Sequence, residues 1–365
     1  MNIAFLLFNY KLSGGMRVIN ELSNGLVDRG HNVTIVAPRG SVELKFPIRA
    51  KVIEAGICIK NHYLSFLLNL PLLPFAVPKC DVIICTFSVT AYFAWLAAKL
   101  RAADVYNFIQ GYETTYFDGL IHSRLLLWLY RKLIRLSYRL PLNFLVNSQW
   151  AAQMCGVRKF TVIHPCVDHR VFNVGGAEQK RSRGQKKILA IAKKQPSKGL
   201  DDLLAALDIV HKQVDFKLIL LAPDKLNYSR PYIEDVRKVE DDEQMAEHYR
   251  RADLFISSSW FEGFALPPLE AMACGTPVVL TDSGGVREYA VDGHNCLMTP
   301  PRQPERLAQA ILSVLNDDAL AQKLAVNGIS TAQEFRWEKS VSKLEQILLS
   351  NVRQGTRVTN ENPAY

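Results

Sequence analysis

The chain has 365 residues, of which 48% are hydrophobic and 22% charged, the composition of a globular protein long enough to build two or three domains without disulfides or a structural metal. Seven cysteines, at 58, 80, 85, 155, 166, 274 and 296, are odd in number and lack Cys-x-x-Cys spacing, which argues against a zinc site or disulfide framework and for buried thiols in a reducing cytoplasm. The net charge of +9 is uneven: residues 1–172 hold 19 Lys and Arg against 9 Asp and Glu, the remainder 25 against 26, so an anionic partner surface is expected on the N-terminal half.

In chain order, the apolar residues 2–8 lack a basic leader and a small-residue cleavage site, and read as a first strand rather than a signal peptide. A Gly14-Gly15 turn, an amphipathic helix near 16–29 closed by Gly30, and a strand at 33–37 complete a βαβ unit. Further strands fit 82–85, 105–109, 144–146 and 160–163. Residues 63–77 are apolar and broken by prolines. Within 122–140, basic residues recur at 124, 131, 132, 135 and 139 among leucines, Trp128 and tyrosines. That is the pattern of a basic amphipathic helix at a membrane interface; packing as core is the alternative for both stretches. No apolar run reaches the roughly 18 residues needed to span a bilayer.

Residues 174–187 are polar, basic and glycine-containing, and read as an interdomain linker between domains at 1–173 and 188–334. The second domain has strands at 188–191, 216–221, 254–256 and 277–280, with helices between them. A final helix is expected at 335–350 and a disordered tail at 351–365. Such α/β sheets bind ligands beyond the carboxyl ends of their strands, so loops there hold the candidate functional residues.

The most informative of these loops follows the strand at 254–256. It runs from Ser257 through Glu262, Gly263, Phe264, Ala265 and Leu266 to Pro267-Pro268, and the helix that follows ends near Gly275. Proline suits the first helical turn and glycine the exit. Loop 263–266 then offers backbone N–H groups at a helix N-terminus, a site suited to a diphosphate. Two carboxylates flank it: Glu262 before the loop, and Glu270, expected in the first helical turn, where it can accept hydrogen bonds from a ribose diol.

The Glu262-x7-Glu270 spacing and the run 271–279 resemble the retaining GT-B glycosyltransferases of family 4, and the resemblance extends over nearly the whole chain. Gly14-Gly15 with Arg17 resembles the family's glycine loop facing donor diphosphate and acceptor. Residues 163–168 with Phe172 resemble its hinge signature. Lys193 and Lys198-Gly199 resemble the cationic clamp on the diphosphate, residues 283–288 the Gly-Gly turn ending in Glu288, and Phe335-Arg336-Trp337 the start of a helix that crosses back to the first domain. The resemblance implies two Rossmann-like domains facing across a cleft. It assigns Glu270 to the donor ribose, Glu262 to the transferred sugar, and the amides of 264–266 to sugar hydroxyls and phosphate.

It further implies a hexose donor, best matched by UDP-glucose, and a glycan or lipid-linked glycan acceptor in bacterial polysaccharide biosynthesis. The enzyme would be cytoplasmic, or peripheral at the inner face of the membrane. Three departures from the family pattern stand out. Lys193 follows Ala192 where the family has an arginine after glycine, giving a point charge rather than a bidentate fork. Cys166 replaces a common glycine. Gln110 stands where many relatives have histidine; it can hydrogen-bond a sugar hydroxyl but cannot titrate. With Tyr112 and Glu113 it forms the candidate acceptor loop. No Asp-x-Asp triplet occurs, so no metal and no cofactor are expected, with cations and the helix N-terminus neutralising the leaving group. A nucleotide-sugar 2-epimerase and a non-catalytic sugar-nucleotide-binding protein are the rival readings. A dinucleotide oxidoreductase is disfavoured by the missing Gly-x-Gly-x-x-Gly, and nucleic-acid binding by the lack of a reading module.

Overall fold

An apolar run makes the first strand: in β1 (Asn2–Leu6) all residues but Asn2 are buried, as in a parallel strand covered on both faces. The computed structural model describes every residue except 12, 44–46, 58–67, 116–122, 176–184, 223–228, 240 and 359–365, and only the backbone of 352–358. Most of the expected linker, residues 63–67 and 122 of the two apolar stretches, and Cys58 therefore lie outside the described residues. The six described cysteines are all buried and outside any disulfide.

After β1 come α1 (Gly14–Asp28), β2 (Asn32–Pro38), β3 (Lys51–Ala55), β4 (Val82–Cys85), α2 (Ser88–Arg101), β5 (Asp104–Ile109), α3 (Arg124–Ser137), β6 (Asn143–Val146), α4 (Gln149–Cys155) and β7 (Thr161–Val162). The strands form one parallel sheet in the order β3-β2-β1-β4-β5-β6-β7. Then follow β8 (Lys186–Ile191), α5 (Leu200–Val210), β9 (Phe216–Leu221), β10 (Ile233–Arg237), α6 (Asp242–Arg251), β11 (Leu254–Ser257), α7 (Leu266–Ala273), β12 (Val278–Thr281), β13 (Leu297–Thr299), α8 (Pro304–Asn316), α9 (Asp318–Gln333) and α10 (Trp337–Val358). Their sheet is also parallel, in the order β10-β9-β8-β11-β12-β13. Both orders reverse beside the first strand of the series, between β1 and β4 and between β8 and β11, the switch points where such sheets take ligands.

The chain divides into two compact units, Met1–Pro165 with Trp337–Tyr365, and Cys166–Arg336. The division falls at 165/166, earlier than the expected end of the first domain at 173, because Val167 and Phe172 pack into the core built on β8, β11 and α7. The last helix belongs to the first unit, tied by Arg29 Nη1 and His31 Nε2 to Glu345 at 2.7 and 2.8 Å, by Ser340 Oγ to the His164 carbonyl and by Asn351 Nδ2 to the Tyr106 hydroxyl. It continues to Val358, past the expected stop at 350, so 351–358 is helix rather than tail. The strands β3, β10 and β13, absent from the sequence reading, lie at or next to sheet edges, where β3 and β10 are only partly buried.

Candidate active site

The second unit assembles its site at the β8/β11 switch point. Lys193 and Lys198 follow β8, and Glu262 follows β11. Lys198 ends a short turn at Pro196–Lys198, and Gly199 after it adopts φ +64°. Only glycine fits there: a Cβ would lie 2.0 Å from the Ser258 carbonyl oxygen in a left-handed conformation that favours no side chain. Ser258 Oγ donates to the Lys198 carbonyl at 3.1 Å, and the Trp260 N–H to the Ser197 carbonyl at 2.8 Å. The lysine turn is thereby docked on the loop that carries Glu262.

Lys198 Nζ lies 2.7 Å from Glu262 Oε1, with both side chains about one-fifth exposed, and Ser259 Oγ donates to the same oxygen at 2.8 Å. The pair is buried enough for charge to matter more than in bulk water. Protein crowding and then the Lys198 ammonium push the pKa of Lys193 below the usual lysine value, while Glu262 opposes this. The Lys193 side chain itself keeps an exposed portion. Two cations that influence each other in this way favour an anion between them.

Glu262 is also held by its backbone. Its N–H donates to the Ser283 carbonyl at 2.8 Å and its carbonyl accepts from the Gly285 N–H at 3.0 Å. A Cβ at Gly285 would meet the Gly263 carbonyl oxygen at 2.1 Å, so the Gly284-Gly285 turn serves to seat loop 262–263. Beyond it, Ala265 takes φ +66° as the residue preceding α7, a strained conformation for alanine. Tyr289 holds it there by donating its hydroxyl to the Ala265 carbonyl at 2.7 Å. Among the described residues, the backbone N–H groups of Gly263, Ala265 and Leu266 have no acceptor. With Pro267 and Pro268 in the first turn, this helix start is the anion-ready arrangement expected from the sequence.

Glu270 is the fifth residue of α7, just beyond the first turn in which the sequence reading placed it. The helix begins at Leu266, one residue before Pro267, which accounts for the offset. Its carboxylate is buried, and Tyr249 of α6 donates its hydroxyl to Oε2 at 3.3 Å. Tyr289 lies within electrostatic reach of both glutamates; burial first, then Cys296 and these carboxylates, raise its pKa far above the usual value. Sequence reasoning missed Ser259, Tyr249 and Tyr289. Only Ser259 carried a signal, as part of the serine run closing β11.

The remaining candidates belong to the first unit. Gly14 and Gly15 are not a free turn but open α1, capped by Ser13 Oγ, which accepts from the Met16 N–H at 3.3 Å. Arg17 sits in the same first turn. A Cβ at Gly15 would touch Gln110 Oε1 at 3.2 Å, so the start of α1 and the loop after β5 meet. Asn147 Nδ2 donates to the Gln110 carbonyl at 2.6 Å, and Tyr112 is half-buried beside it. Glu113 corrects its expected role: it is buried, and Oε2 accepts from the Ser88 N–H at 2.8 Å. A carboxylate turned inward to the start of α2 braces the loop instead of contacting an acceptor. Burial raises its pKa to about 7, against the lowering effect of the hydrogen bond from the Ser88 N–H.

Comparison with known proteins agrees with this architecture. The family described as Glycosyltransferase Family 4 matches residues 12–171, and that described as Glycosyl transferases group 1 matches 185–317. An uncharacterized glycosyltransferase of Methanocaldococcus jannaschii is 32% identical over 161 residues, 42% of this chain and 44% of the relative. D-inositol 3-phosphate glycosyltransferase 1 of Catenulispora acidiphila is 29% identical over 218 residues, 53% of this chain and 52% of the relative. The alignments thus span about half the length of these curated relatives. Among solved structures, sucrose-phosphate synthase of Thermosynechococcus elongatus superposes with a TM-score of 0.81 at 18% identity, over 97% of this chain and 99% of that one. Anabaena HepE, solved with UDP-glucose, superposes with a TM-score of 0.75 at 17% identity, over 96% and 100%; at such identities the likeness speaks for the fold alone. With both halves matched and both sheets wound alike, the chain belongs to the GT-B glycosyltransferases of family 4.

Proposed function

We propose that the protein transfers a hexose, with retention at the anomeric carbon, from a UDP-sugar to a glycan or lipid-linked glycan in polysaccharide biosynthesis. The observation that carries this reading is the Lys198–Glu262 pair at 2.7 Å, with the amides of Gly263, Ala265 and Leu266 after it left without an acceptor among the described residues. Cations, free amides and a helix N-terminus can together hold the diphosphate and take up the charge that develops on it as the bond from the anomeric carbon to phosphate oxygen breaks. The acceptor hydroxyl supplies the new bond to that carbon and loses its proton. Glu270, positioned by Tyr249, is assigned to the ribose diol. Glu262, oriented by Ser259 and Lys198, is assigned to the sugar.

UDP-glucose is the favoured donor because a structural neighbour was solved with it. No metal is assigned, since Lys193 and Lys198 can supply the positive charge. An acceptor carried on a lipid would be met at an anionic membrane surface on the cytoplasmic side. Incubation with a panel of UDP-sugars and a glycan acceptor tests the reading: free UDP and an extended glycan with the donor's anomeric configuration are expected. Donor conversion to an epimer without glycan extension would assign the 2-epimerase reading, and donor binding with no conversion the non-catalytic one.

A further inference from the structure

We propose that one face of the first unit is a membrane dock, built from α3, α2 and the segment 68–76, whose partner is an anionic phospholipid surface. In α3 only Ile134 and Ser137 are buried. Leu125, Leu126, Leu129, Leu133 and Leu136 are each at least 40% exposed, and Trp128 is 56% exposed. At 3.6 residues per turn those leucines share an arc of about 100°. Arg124, Arg131, Lys132, Arg135 and Arg139 occupy the adjacent arc, and no acidic residue occurs between 124 and 139. With Trp128, these five cations line a shallow basin of about 470 Å³. Lys132 Nζ stands 5.0 Å over the Trp128 ring.

The apolar surface continues beyond α3. Tyr92 of α2 donates its hydroxyl to the Leu133 carbonyl at 2.7 Å, and Leu96 and Leu100, one and two turns further along that face of α2, are exposed. Arg101 Nη2 donates to the Phe75 carbonyl at 3.3 Å, beside exposed Leu68, Leu72 and Phe75. In the second unit only Val174, Val291 and Val326 are exposed large apolar residues among the described residues.

Leucines flanked by an arc of cations match a bilayer with acidic headgroups, where the apolar side enters the interface and arginines meet phosphate. A second copy fits less well, since self-pairing would set the same five cations against one another, and the stretch 124–139 holds no acidic residue. The dock lies next to the candidate acceptor loop: Tyr130 of α3 donates its hydroxyl to the Glu113 carbonyl at 2.8 Å. This placement deepens the reading of a lipid-linked acceptor and rests on it for its purpose, whereas docking itself does not.

The test uses the full chain with vesicles of phosphatidylcholine alone or mixed with phosphatidylglycerol. Co-sedimentation is expected with the mixed vesicles only, with release at high salt. The combined Arg131→Gln, Lys132→Gln and Arg135→Gln variant should bind about a hundredfold more weakly, at about fivefold per cation. Leu129→Asn with Leu133→Asn should weaken binding about tenfold or more, and Val326→Asn should change nothing. The blue shift of tryptophan emission on adding vesicles should be lost in Trp128→Phe, which reads contact without relying on sedimentation. Transfer to a water-soluble acceptor should be equal in all these variants, so failure to dock and failure to transfer are read separately. The proposal is overturned if the wild type ignores mixed vesicles, if it binds neutral vesicles equally and independently of salt, or if the leucine changes dissolve a dimer that never binds lipid. Retention on polyglutamate without vesicle binding would likewise overturn it, in favour of an acidic polymer.

Discussion

Both units wind parallel strands in the same order around a switch point, yet among the described residues the first exposes large apolar side chains at fourteen positions and the second at three. Buried polar side-chain atoms without a protein partner divide similarly. Thr86, Ser88, Asn107, Thr114, Tyr138 and Asn147 lie in the first unit, and His211, Asp253 and Thr299 in the second. The second unit is a closed, internally braced body, whose site loops are locked by Gly199, Gly285 and Tyr289. The first leaves apolar surface outside and polar groups unpaired inside, among them Thr86 just after β4 and Asn147 just after β6. One fold thus supports braced loops at the switch point in one half and an exposed apolar surface in the other, because loops and outer helix faces change without touching the sheet.

That contrast is open to measurement, beginning with the largest expected effect. Glu262→Ala should lower turnover about 100- to 1,000-fold, the usual loss for a preorganised electrostatic group. Binding of UDP alone should hold or tighten, since Lys198 is released from its 2.7 Å partner. Calorimetry with UDP reads this, and a large loss of UDP affinity would contradict a sugar-facing role.

Next in size is Glu113→Gln in the first unit. The folded pKa of Glu113, about 7, lies above its ordinary 4.5. A carboxyl raised in this way stabilises the fold below the unfolded value, and that stability is lost as pH rises through the folded one. Between about pH 4.5 and 7.5 the wild type should therefore lose on the order of 2–3 kcal/mol that the glutamine variant keeps. Denaturant titrations across that range check it; parallel curves would mean that Glu113 is ionised and paired.

Glu270→Ala should weaken UDP binding by about tenfold, the worth of a charge-assisted hydrogen-bonded diol, whereas Gln110→Ala in the first unit should leave UDP affinity unchanged. Equal losses would erase the division between a donor unit and an acceptor unit. The smallest expected effect is none at all: turnover should survive EDTA, because lysines and amides take the place of an ion. An absolute need for magnesium or manganese would move the burden of charge away from Lys193 and Lys198.

Most central strands were legible in the sequence because strands buried on both faces are near-continuous apolar runs, as at 82–85 and 216–221. Edge strands such as Lys51–Ala55 and Ile233–Arg237 were not, since partial burial leaves them mixed in polarity. Among site residues, the Glu262–Glu270 spacing, the glycines and the prolines were readable because each meets a local backbone demand at a fixed offset. What only the tertiary structure decided is which groups converge. Tyr249 reaches Glu270 from another helix, Tyr289 pins Ala265 from beyond β12, and Glu113 turns inward to α2 rather than outward. The same holds for α3. Its pattern of leucines and arginines was plain, but an amphipathic sequence is equally suited to a core and to an interface. Only the packing of its neighbours, which cover Ile134 and Ser137 and leave the leucines bare, separates the two.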